Sequence, residues 1–62
     1  MTYLTALVKM DNGVWIKYHN IPDTLIGKAS FLAFVKKRLL TAEYVNLYDN
    51  ITKQFVIRLY KN

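Results

Sequence analysis

The chain has 62 residues, a net charge of +5 and no cysteine. That length bounds it to a single domain, 1–62, near the lower limit for a self-sufficient core, with no disulfide framework and no thiolate metal site. A hydrophobic fraction of 53% excludes a disordered tail, and no apolar run approaches the ~20 residues of a membrane span.

Tyr3 to Met10 and Val14 to Ile21 are rich in β-formers that alternate with period two, which predicts a hairpin. The turn length follows from side-chain facing. A two-residue Asn12-Gly13 turn would oppose Val8 to Lys17 and mix charge into both faces. A three-residue loop, Asp11-Asn12-Gly13, with Gly13 left-handed, opposes Met10 to Val14 and Val8 to Ile16. One face then carries Leu4, Ala6, Val8, Met10, Val14, Ile16 and Tyr18, so the second turn is preferred.

Pro22 ends the strand, and Asp23 or Ser30 is the expected helix cap. Phe31, Leu32, Val35 and Leu39 form one helical stripe flanked by Phe34. Extending the helix backwards puts Lys28 in the middle of that stripe and Gly27 inside the helix. The expected helix is therefore about 29–40, with 23–28 a turn or a weak first turn. Lys36, Lys37 and Arg38 fall in its last turns, where cations complement the helix dipole; they are also candidates for contact with an anionic partner.

Glu43 to Tyr48 and Gln54 to Lys61 predict a second hairpin. Alternation places Val45, Leu47, Phe55, Ile57 and Leu59 inward and Tyr44, Asn46, Tyr48, Val56, Arg58 and Tyr60 outward. Asn50-Ile51-Thr52 matches a glycosylation sequon and is read as turn chemistry. The fold class is α+β: a ββαββ order giving a four-stranded sheet with one helix on one face. The expected core is Leu4, Ala6, Val8, Val14, Ile16, Phe31, Val35, Leu39, Val45, Leu47, Phe55 and Ile57.

The segment Tyr48-Asp49-Asn50-Ile51-Thr52-Lys53-Gln54-Phe55 resembles the Tyr-Asp-Asp-x-Thr-Lys-x-Phe loop of the immunoglobulin-binding domains of protein G. The element order and the start, Met1-Thr2-Tyr3, are also similar to that family. The resemblance implies a β-grasp-like sheet, with strands one and four central and parallel and strands two and three at the edges. It also implies a register placing Tyr48 beside Phe55, which would bury Asn46 and turn Val45 and Leu47 outward. Alternation is preferred over that register, because an unpaired buried amide costs ~1–3 kcal/mol. Immunoglobulin binding does not carry over. The family's binding helix and adjacent strand offer acids, amides and a tryptophan, whereas Lys36, Lys37, Arg38 and Asn46 stand here.

No catalytic, metal or cofactor site is expected. His19 is the lone histidine, the four acids are scattered over turns and element ends, and Gly13 and Gly27 are isolated. The second half of the chain, 32–62, holds six basic residues against Glu43 and Asp49, which suits an anionic partner. The outer sheet face gathers Lys9, Trp15, Lys17, Tyr44, Tyr48, Arg58 and Tyr60, the combination by which sheet platforms stack single-stranded bases and meet phosphates. The leading expectation is a non-enzymatic nucleic-acid-binding module. The alternative is a protein-binding accessory factor or inhibitor, of the kind small compact genomes encode, that meets an acidic protein through the same face. A homodimer through that face, or through the unpaired edges of strands two and three, is a third use of the sheet, and the face can also reflect only the strand propensity of its aromatics. The first residues lack the charged start and apolar stretch of a secretory signal, so the expected location is the cytoplasm, away from membranes.

Overall fold

A computed structural model describes residues 2–61; Met1, part of the family-like start, lies outside them. The elements are β1 (Tyr3–Met10), β2 (Trp15–Pro22), α1 (Leu25–Arg38), β3 (Ala42–Asp49) and β4 (Phe55–Tyr60), an α+β fold in the expected ββαββ order. Helix α1 is not long and apolar enough to cross a membrane.

The first turn forms as its side-chain pattern requires. Met10 N donates to Val14 O at 2.8 Å and Gly13 N to Met10 O at 3.1 Å, with Gly13 at φ +86°. Val8 then opposes Ile16, and Lys9 opposes Trp15. Farther along, β2 carries an extra residue where the register shifts between Leu4 and Ala6. Asn20 lies in that stretch at φ +62°, a conformation that asparagine tolerates better than most side chains.

Strand order departs from the family resemblance. The sheet runs β2-β1-β3-β4 with every neighbouring pair antiparallel, so β1 and β3 are central and β2 and β4 are the edges. Strands one and four do not pair. The short link after the helix explains the difference. Ala42 N bonds Leu39 O at 3.0 Å and Asp11 N bonds Thr41 O at 2.9 Å, which drops the start of β3 beside the end of β1. At the other end of that pair, Asn50 N donates to Tyr3 O at 3.2 Å.

The helix begins earlier and ends earlier than its apolar stripe suggests. Thr24, rather than Asp23 or Ser30, is the N-cap, its hydroxyl accepting from Gly27 N at 2.9 Å. Asp23 instead pairs with Lys28 at 3.1 Å. That pairing lets Lys28 sit on the buried side of the helix, with its stem against apolar surface and its charge carried outward. Leu39 caps the C-terminus, leaving Leu40 exposed.

The core is Leu4, Ala6 and Val8 of β1, Val45 and Leu47 of β3, Ile21, Ala42 and Val35. Ile16, Phe31 and Leu39 are half-buried against it, as are Met10, Tyr18 and Leu59. Three expected core residues lie outside. Val14 sits at the hairpin end, exposed to solvent. Ile57 is inward on β4, but the helix leans over the β2 side, where Tyr18 meets Phe31 and Phe34 edge-on at 5.4 and 5.5 Å. Phe55 is 55% exposed, because the register shifts between Leu47 and Tyr48 and sets Phe55 opposite Tyr48.

Gly27 is required by packing. A Cβ there would lie 2.4 Å from Pro22 O and 2.9 Å from Pro22 Cβ. Helix propensity alone would make Gly27→Ala stabilising by about 1 kcal/mol. The backbone clash reverses the sign, and urea unfolding of Gly27→Ala should show a loss of about 1–3 kcal/mol.

Candidate functional site

The outer face of the sheet, opposite the helix, is organised as three rows that cross the strands. In the first, Trp15, Lys9, Tyr44 and Tyr60 are successive register partners across all four strands. Trp15 and Tyr44 meet edge-on at 6.0 Å, and Tyr44 and Tyr60 at 6.1 Å. The second row is Lys17, Leu7, Asn46 and Arg58. The third joins Thr5, Tyr48 and Phe55, and the Tyr48 and Phe55 rings lie 5.7 Å apart. The pairing of Tyr48 with Phe55 is the one the family resemblance implies. Val45 and Leu47 nonetheless remain fully buried on the inner side, as alternation requires. A bulge reconciles the two registers, since one extra residue on β4 returns Phe55 to the outer face.

Two polar residues on this face are buried, Thr5 at 5% and Asn46 at 6% exposure, and each is bonded. The Thr5 hydroxyl donates to Asn50 Oδ1 at 2.6 Å, with His19 Nδ1 3.5 Å away. Arg58 Nε donates to Asn46 Oδ1 at 2.7 Å, and the guanidinium carbon sits 4.2 Å from the centre of the Tyr44 ring. The amide thus avoids the cost of an unpaired buried group, and Arg58 is held over an aromatic ring.

The candidate cations differ in how free they are. Lys9 is tied to Glu43 at 3.0 Å, and that carboxylate raises the lysine pKa. Lys17 is exposed. It borders a hollow of about 190 Å³ with Thr5, Leu7, Tyr48 and Lys53. Lys53 was missed in the sequence because it reads as a turn residue; its left-handed backbone, φ +65°, brings it to this hollow. Lys36, Lys37 and Arg38 end the helix. They therefore belong to the opposite side of the sheet and are not brought together with the outer-face residues.

Beside the third row, the β3–β4 turn is held by Asp49. Its Oδ1 accepts from Ile51 N and Thr52 N, both at 2.8 Å, and the N–H groups of Thr52 and Ile51 lower the carboxyl pKa. Comparison of the chain with protein-family models, curated proteins and solved structures finds no match.

Because its folded pKa is depressed, Asp49 contributes stability that is present above the ordinary aspartate pKa and lost as pH falls through the lower folded value. Melting temperature should therefore decline below about pH 4. Asp49→Asn, whose amide oxygen can still accept the turn bonds, should flatten part of that acid limb. An unchanged acid limb in the variant would assign the decline to other carboxylates.

Proposed function

We propose that the protein is a binding module for single-stranded nucleic acid that lays the strand on its outer sheet face. The observation that carries the reading is the interleaving of rows. Trp15, Tyr44 and Tyr60 form an aromatic row across the sheet, and Lys17 and Arg58 stand at the two ends of the row beside it. Bases stack on aromatic faces regardless of sequence, and cations beside them meet the phosphates. Trp15 and Tyr60 are exposed, whereas Tyr44 is partly covered and serves to seat Arg58. Lys53, at the rim of the hollow beside Lys17, adds a further cation. Lys9 contributes less than its position suggests, because Glu43 already neutralises it.

Trp15 is the single tryptophan, so its fluorescence reports directly on the site. A short single-stranded oligonucleotide at about 50 mM salt should quench it, with recovery as salt rises. Trp15→Ala, followed by gel shift, should weaken binding about tenfold, as the loss of one stacked base requires. Lys17→Ala should lower the slope of log affinity against log salt by about 0.7. If oligonucleotides neither quench Trp15 nor shift the protein, an acidic protein surface replaces nucleic acid as the partner of this face.

A further inference from the structure

We propose that the chain dimerises by pairing its β4 edge, antiparallel, with the β4 edge of a second copy, giving one continuous eight-stranded sheet. The proposal is independent of what the outer face binds.

The two edges of the sheet are unlike. An edge strand presents unpaired N–H and C=O groups, and proteins blunt such edges with charges, proline and bulges. Strand β2 has all three, in Lys17, Pro22 and the irregular stretch at Asn20. Strand β4 reads Phe-Val-Ile-Arg-Leu-Tyr, with no proline, no acid and one cation. That cation, Arg58, is drawn back over β3 by Asn46 and Tyr44, and the next cation along, Lys61, is turned aside to Leu40 O, so β4 itself carries no outward charge. Its inner side has no lid. A groove of about 300 Å³ runs between α1 and β4, bordered by Leu25, Ala29, Leu32, Ile57 and Leu59 and by Lys28, whose ammonium is paired with Asp23.

A second β4 suits this edge, since each copy offers the unpaired backbone groups and apolar side chains that the other leaves open. Among the described residues, three of the twelve large apolar or aromatic side chains left exposed, Leu25, Ile57 and Tyr60, lie at the groove or in the segment that pairs below. Register follows from symmetry. Opposed side chains in an antiparallel pair share a face, so the two-fold axis must fall on a residue. Centring it on Arg58 opposes like charges, which is unfavourable. Centring it on Ile57 runs the ladder into the bulged end at Phe55. Centring it on Leu59 pairs 57–61, clear of the bulge, sets Leu59 against its copy and Ile57 against the Lys61 stem below the sheet, and places Arg58 opposite Tyr60 of the second copy above it. The cation then meets an aromatic ring across the interface. The aromatic row of one protomer also continues into the basic row of the other.

Sedimentation of the full chain from micromolar to hundreds of micromolar should show a species near twice 7.3 kDa at the top of the range. Tyr60→Lys sets a second cation against Arg58 of the other copy and should weaken the dimer at least tenfold. Tyr60→Glu loses the same ring contacts but supplies a carboxylate to that arginine, and should dissociate less readily than Tyr60→Lys by a similar factor. In the unmodified protein, the β4 amides that point away from β3 should exchange slowly when concentrated and rapidly when dilute. A monomer at every concentration overturns the proposal. So does a dimer that treats the two Tyr60 variants alike while Trp15→Ala disperses it, since that dimer would be built on the outer face.

Discussion

The pairing of β1 with β3 is the constraint on which the rest of this fold depends. It places Leu4, Ala6 and Val8 beside Leu47 and Val45 as fully buried neighbours, and apolar side chains removed from water contribute roughly 1.5–3 kcal/mol each. It also lets Asp11 and Thr41 bond across the ends of the two hairpins. With β3 in the centre, β4 must lie at an edge. The helix, arriving from β2 and returning to β3 by three residues, covers one side of the sheet better than the other.

That unequal cover gives the molecule two distinct surfaces. The outer face is amphipathic and ordered by contacts among its own residues: Arg58 on Tyr44, Thr5 on Asn50, Lys9 on Glu43. Groups fixed in this way lose less side-chain freedom on meeting a partner, which favours recognition. The β4 edge is different in kind, with apolar side chains, free backbone groups and an open groove beneath. A partner that adds a strand there leaves the outer face open and lengthens it.

Local chemistry accounts for the turns and for the helix start. Gly13 supplies the left-handed residue of the first turn, Asp49 satisfies two N–H groups of the second, and Thr24 satisfies one at the start of α1. Gly27 differs, since its value lies in the close approach of α1 to Pro22. A helix-propensity scale counts that residue only as a defect.

Much of the candidate site was legible in the sequence. Period-two alternation sorts side chains between faces without reference to strand order, so Trp15, Lys17, Tyr44, Arg58 and Tyr60 fall together whichever strands pair. The three-residue turn at Gly13 was legible for the same reason, because only that length keeps both faces consistent. Strand order was not, since it depends on which distant strands bury one another best, and no local period encodes that choice. The exposure of Phe55 required a bulge that alternation cannot show, and the neutralisation of Lys9 required Glu43 to arrive from another strand. The sequence by itself determined the elements, the turns and the two faces, all of which are short-range properties of the chain. The tertiary structure alone decided the central pair and the open β4 edge, because those arise from long-range burial.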